Sequence, residues 1–239
     1  MHRFAARRIA RVLEGPHPWD VSLGRRRDYN IHELFGSREL YAETSTRHHT
    51  VRATPGTPAS RPERWHDFNQ LFHRRAPQSL LPWLLAEGSL TRLLIKASAG
   101  DFRVQRIAQG WGRPTLSEAR LLGLPPGQRA LIREVVLWGR GEPWVYGRSI
   151  LPASTLSGDL RRLRRLQNSS LGALLFSYPQ LRRAPFQLAL VAGNTLPGPA
   201  HGEEPLWGRR SRFELQQRTL IVSEVFLPAF QRRLPLPPT

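Results

Sequence analysis

The chain contains no cysteine. That excludes disulfides, thiolate metal ligands and a cysteine nucleophile, and is compatible with a reducing compartment. Lysine is nearly absent: Lys96 is the only one among 36 basic residues, so the basic charge is arginine. No apolar run is long enough to span a bilayer. The amino terminus, Met1-His2-Arg3-Phe4-Ala5-Ala6-Arg7-Arg8, lacks the apolar core of a secretory signal. An arginine-rich, acid-poor start imitates an organelle transit peptide, but Glu14 and Asp20 follow soon after. A cytoplasmic location and no membrane span are the expectation. Histidine is missing from most of the chain, since seven of the eight lie before residue 75 and only His201 lies beyond. The later part therefore lacks the usual zinc ligands. His48-His49 sits in a polar segment and is read as solvent-exposed, so no metal site is expected.

What the chain has in excess is positive charge, +18 formally over 239 residues. Such an excess suggests a polyanion partner. The arginines, however, are scattered through both halves rather than gathered in one block. An all-arginine bias also fits GC-rich coding. The densest cluster, Arg161-Arg162-Leu163-Arg164-Arg165, lies among leucines 156, 160, 163 and 166. This is the pattern of an amphipathic helix with a solvated basic face. No specific nucleic-acid partner is expected.

Composition divides the chain into three. Residues 1–76 show no sustained periodicity and include a polar run from Thr44 to Pro62, which reads as a basic, disordered extension or an overlong gene start. A globular domain follows over 77–230, then a Pro/Arg-rich tail over 231–239. Within the domain, Leu80, Leu81, Leu84 and Leu85 repeat at helical spacing before Gly88. Ser89 can cap a second helix through Leu94. Phe102 to Gln109 alternates as a strand. Residues 130–138 and 144–151 read as a hairpin around a five-residue loop. Ser154 to Leu166 and Ser170 to Phe176 read as helices, and 182–192 as a strand. Residues 208–215 and 218–227 form a final hairpin ending at Pro228. Hairpin-joined strands with helices gathered between them predict an α+β fold with an antiparallel sheet of about six strands.

Two strands carry a charge where apolar packing is expected. Arg133 shares a strand face with Leu131, Val135 and Leu137, and Glu224 shares one with Leu220, Val222 and Phe226. Both strands are apolar on both faces, as in a sheet covered on two sides. A charge there costs several kcal/mol unless it is paired or meets a ligand. Either the two form a structural Arg–Glu pair, or they mark a polar pocket holding an anion at one end and a hydroxyl or proton at the other.

Further motifs give these strands a context. Arg133-Glu134 is followed by Gly141-Glu142-Pro143-Trp144, Gly147-Arg148-Ser149, Leu151-Pro152, Ser154-Thr155-Leu156-Ser157-Gly158, Leu171-Gly172 and Leu175-Phe176. Leu206-Trp207-Gly208-Arg209-Arg210-Ser211-Arg212 and Glu224-Val225-Phe226-Leu227-Pro228 complete the series. In this order and spacing, over residues 78 to 228, the chain resembles the chorismate–pyruvate lyases of ubiquinone biosynthesis. The resemblance implies an internal ligand pocket under flap-like helix-loop segments. It also implies conversion of chorismate to 4-hydroxybenzoate and pyruvate with no cofactor. Arg133 matches the family's carboxylate-binding arginine and Glu224 its acidic residue at the ligand's 4-hydroxyl. The backbone N–H groups of Leu90 and Leu171 match its two further carboxylate donors. Arg148 is a candidate for chorismate's second carboxylate or, equally, a surface salt bridge; Arg209, Arg210 and Arg212 are assigned no ligand. Trp138, Trp144 and Trp207 are read as core or rim. A monomer is expected. The reading from another class is a noncatalytic small-ligand effector domain, whose fold is similar in some transcription regulators.

Overall fold

A computed structural model of the chain describes residues 64–67 and 75–234. His48-His49, most of the proposed extension and residues 235–239 of the proposed tail lie outside them; Gln231 and Arg232 of that tail end a helix and Leu234 packs on the core. Eight strands form one antiparallel sheet: β1 (His66–Asp67), β2 (Phe102–Gly112), β3 (Ala130–Gly139), β4 (Glu142–Pro152), β5 (Arg182–Arg183), β6 (Gln187–Ala192), β7 (Pro205–Leu215) and β8 (Arg218–Phe226). Their order is β1-β6-β7-β8-β4-β3-β2, and β5 pairs with β7 off this path. Six strands are long, as expected; β1 and β5 have two residues each. Among the described residues, five short helices accompany them: α1 (Leu81–Leu84), α2 (Leu90–Ala97), α3 (Leu116–Leu122), α4 (Leu171–Leu175) and α5 (Pro228–Arg232). None is long and apolar enough to cross a membrane.

Local chemistry explains where the structure departs from the sequence reading. The loop between β3 and β4 has two residues, not five. Arg140 (φ 51°) and Gly141 (φ 74°) both adopt the left-handed conformation a tight hairpin turn requires. Pro143 stays in the strand because the register shifts beside it, between Leu137 and Trp138. The expected strand 182–192 is split into β5 and β6 by Ala184-Pro185-Phe186, since proline cannot donate to the ladder. The leucine–arginine stretch forms a 3₁₀ segment, Gly158–Arg165, rather than an α-helix. Leu160 and Leu163 are buried and the four arginines exposed, so the amphipathic pattern holds. Helix α3 was not anticipated, although Thr115-Leu116-Ser117-Glu118 is a capping box and both of its reciprocal bonds form. Residues 64–67, assigned to the extension from composition, lie against the sheet. His66 and Asp67 pair with Leu188 and Gln187, and Trp65 packs on the core under the guanidinium of Arg210.

Side-chain alternation divides the core. One sheet face carries two apolar clusters. The first gathers Leu80, Leu84, Leu90, Leu94, Val135, Val145, Phe226 and Phe230 under α1, α2 and α5. The second gathers Leu131, Leu151, Leu156, Leu160, Leu163, Leu171, Phe213 and Leu220 under the 3₁₀ segments and α4. Between the two, on the same face, lie the polar residues described next. The opposite face is covered by Val136, Tyr146, Val191, Val225 and neighbours. Trp144 and Trp207 are buried, while Trp138 is half-buried beneath Arg103.

Candidate active site

Strand register brings the charges together. Arg133 stands opposite Ser149, and Ser149 opposite Val222. In the neighbouring row Val135 faces Gly147, Gly147 faces Glu224, and Glu224 faces Arg209. Arg133 and Glu224 are thus two strands and one pleat repeat apart, roughly 12 Å between Cα atoms for ordinary sheet spacings. Gly147 lies between them and leaves the floor of the gap open. The cavity above it is also lined by Gly88, Leu90, Thr91, Ser170, Leu171, Gly172, Phe176, Arg183 and Phe213.

Arg133 is 2 % exposed. Its Nη2 donates to the carbonyls of Gln167 (3.0 Å) and Ser169 (2.7 Å), while its Nε has no hydrogen-bond partner. Among the described residues no carboxylate pairs with it. Burial, reinforced by Arg106, pushes its pKa down to about 10, so it stays protonated at neutral pH. A buried cation without a counter-ion is a ready anion site. Glu224 is not its partner. The Glu224 carboxylate accepts from Arg209 Nε at 2.6 Å. Arg209 is 1 % exposed, and its Nη1 donates to the carbonyls of Trp83, Leu84 and Ala86 at the end of α1. Those carbonyls lack helical partners, so the guanidinium both caps α1 and fixes the carboxylate.

The roof consists of two helix starts. Ser89 caps α2 by accepting from Arg92 N–H, and Ser170 caps α4 by accepting from Ala173 N–H. Leu90 and Leu171 are the first residues of these helices, so neither N–H has an intrahelical acceptor. The two starts are joined by a 2.6 Å hydrogen bond between Thr91 Oγ1 and Ser170 Oγ.

Four of the five residues singled out from sequence, Arg133, Glu224, Leu90 and Leu171, therefore line one cavity. Arg148 does not. Strand alternation sends it to the opposite face from Gly147 and Ser149, where it pairs with Glu118 (2.8 Å) and Glu134 (2.7 Å). The salt-bridge alternative is the one realised, and it fastens α3 to the sheet. Sequence reasoning passed over Arg209 and Arg183. Arg209 was within reach: counting back from the two-residue turn Gln216-Gln217 sets it opposite Glu224. Arg183 gave no comparable signal: β5 and β6 both pair with β7, and the one-residue register shift at Ala184-Pro185-Phe186 is what sets Arg183 opposite Phe213.

The sequence profile described as chorismate lyase matches residues 63–234. A protein of Methylococcus capsulatus named "Probable chorismate pyruvate-lyase" is 44% identical over 151 residues, covering 62% of this chain and 93% of that one. One of Pseudomonas aeruginosa with the same name is 41% identical over 151 residues, covering 63% and 84%. Among solved structures, the effector domain of PhnF from Mycobacterium smegmatis aligns at a TM-score of 0.41 and 18% identity, covering 59% of this chain and 90% of that one. A likeness of that size decides nothing between functions.

Proposed function

The chain belongs to the chorismate lyase family, and from that premise we propose that it cleaves chorismate to 4-hydroxybenzoate and pyruvate, the first committed step of ubiquinone biosynthesis, in the cytoplasm. The observation that carries this reading is the buried Arg133 without a carboxylate partner, set across Gly147 from a carboxylate already held in place. A six-membered ring with a carboxylate at one end and a hydroxyl at the other matches that polarity. The cavity lining has three guanidinium groups, Arg133, Arg183 and Arg209, against the single carboxylate of Glu224. Its two excess positive charges suit a dicarboxylate.

In this reading the ring carboxylate takes Arg133 Nε and the N–H groups of Leu90 and Leu171. Arginine suits the task because its fork is planar and it stays charged. Glu224 accepts a hydrogen bond from the C4 hydroxyl. Its orientation is set by Arg209. The C3–oxygen bond breaks with its electron pair going to the departing enolate oxygen. The C4 hydrogen leaves as a proton, its bonding electrons complete the aromatic ring, and the enolate takes a proton to become pyruvate. Atoms and electrons balance without a co-substrate, and aromatisation drives the reaction. The protein's task is orientation and charge stabilisation.

Incubation of purified protein with chorismate, followed by ultraviolet absorbance for 4-hydroxybenzoate and an enzymatic assay for pyruvate, tests the proposal. Equimolar products support it. Saturable binding of chorismate without product would leave a small-ligand effector domain instead.

A further inference from the structure

Chorismate carries a second carboxylate, on the enolpyruvyl ether at C3. That carbon adjoins C4, so with the C4 hydroxyl on Glu224 the second carboxylate lies at the Glu224 end of the cavity, away from Arg133. Two cations stand there. Arg209 is committed through Nε to Glu224 and through Nη1 to three carbonyls. Arg183 is not. Its Nε donates to Ser211 Oγ (3.0 Å), and its Nη1 donates to the carbonyls of Ala86 (3.3 Å) and Glu87 (3.0 Å). Its Nη2 makes no hydrogen bond and its guanidinium no salt bridge among the described residues.

We infer that Arg183 binds the enolpyruvyl carboxylate of chorismate and so distinguishes substrate from product, an inference that rests on the lyase reading above. Its placement is built rather than incidental. The guanidinium lies 3.9 Å from the ring centre of Phe186 and 5.1 Å from that of Phe213, which fixes its plane. It lines the same cavity as Arg133 and Glu224. Burial and the adjacent Arg209, opposed only in part by Glu224 and Glu87, push its pKa down to about 9 and leave the cation short of negative charge. An incoming carboxylate supplies that charge. As the C3–oxygen bond breaks, Arg183 holds the departing three-carbon unit by its carboxylate while electrons collect on the ether oxygen. The aromatic product has no group for Arg183, and its contacts are those of Arg133, Glu224 and the roof. Arg148 cannot serve, since it lies on the other face of the sheet in two salt bridges.

The test compares the full-length wild type with R183M and R183K. For each, kcat/KM with chorismate is set beside Kd for 4-hydroxybenzoate and for benzoate, at a temperature below each variant's melting point. R183M is expected to lose about 100-fold in kcat/KM while both Kd values stay within threefold, and R183K to recover about tenfold of the loss. Equal losses for chorismate and 4-hydroxybenzoate would overturn the inference and leave Arg183 as a tie to the Ala86 and Glu87 carbonyls; an unchanged kcat/KM in R183M would overturn it outright. Should R183M not fold, R183K decides by the same comparison. If the wild type binds chorismate without turnover, the lyase reading fails. The ratio of chorismate to 4-hydroxybenzoate Kd in the variants then still decides whether Arg183 holds a second carboxylate.

Discussion

Replacing Arg133 and Glu224 one at a time separates the two ends of the cavity. Arg133→Met keeps an apolar stem of similar length and removes the charge. Truncating one partner of a buried charged contact costs about 2–5 kcal/mol, or roughly 30-fold to several-thousand-fold in Kd. Part of that comes from the roof, because Nη2 also ties down the Gln167 and Ser169 carbonyls, each bond worth about 1 kcal/mol. Both parts act through the carboxylate end, so benzoate and 4-hydroxybenzoate should weaken alike. Glu224→Gln keeps an acceptor for Arg209 Nε but removes the charge. A hydrogen bond to a charged group contributes about 1.5–3 kcal/mol, so 4-hydroxybenzoate should lose roughly 10- to 150-fold while benzoate stays nearly constant. Stability should fall too, by at most about 3–5 kcal/mol, because Arg209 is left buried without a counter-charge. Its three carbonyl acceptors reduce that loss. Calorimetric titration of both ligands, run below melting points measured for each variant, reads all of this. If both variants melt lower yet neither discriminates between the ligands, the two charges are structural and the site assignment is wrong.

Gly147→Ala places a Cβ 3.0 Å from Val135 Cγ2, so Val135 must give way by a few tenths of an ångström, and it fills the cavity floor; a loss of ten-fold or more in kcat/KM is expected below the variant's melting point, and unchanged kinetics would move the ligand elsewhere. Thr91→Val removes the 2.6 Å bond joining the two helix starts without touching the Ser170 cap. Product release, followed by stopped-flow displacement, should speed up about fivefold for a bond worth about 1 kcal/mol; no change would mean the roof does not open there. Exhaustive treatment with EDTA should leave the rate of 4-hydroxybenzoate formation unchanged, and a loss restored by zinc or magnesium would refute a metal-independent mechanism. A chain starting at residue 63 should turn over chorismate at close to the full-length rate. One starting at Pro77 loses β1 and the Trp65–Arg210 stack and should melt lower; equal melting points would show that β1 contributes nothing.

Much of the fold follows from chain-local chemistry. Period-two alternation marks β2, apolar runs bounded by turn residues mark β3, β4, β7 and β8, and Ser89 and Ser170 mark the starts of α2 and α4. Two charges on apolar strand faces marked either a structural ion pair or a polar pocket, because burying them unpaired is costly. The sequence could not decide whom each charge meets. That Glu224 meets Arg209 depends on the β7–β8 register, and that Arg133 meets no carboxylate depends on which side chains the flaps bring over it. Arg148 shows the limit most clearly. It adjoins Gly147 and Ser149 in the same strand, yet the pleat turns it to the other face, where helix α3 supplies Glu118. Arg183 enters the cavity because β5 and β6 both run along β7 and the one-residue register change at Ala184-Pro185-Phe186 sets it opposite Phe213, on the cavity face. Local sequence determined the strands, the caps and the presence of misplaced charge. Partner identity rests on register and on contacts between residues far apart in the chain, and these only the tertiary structure decided.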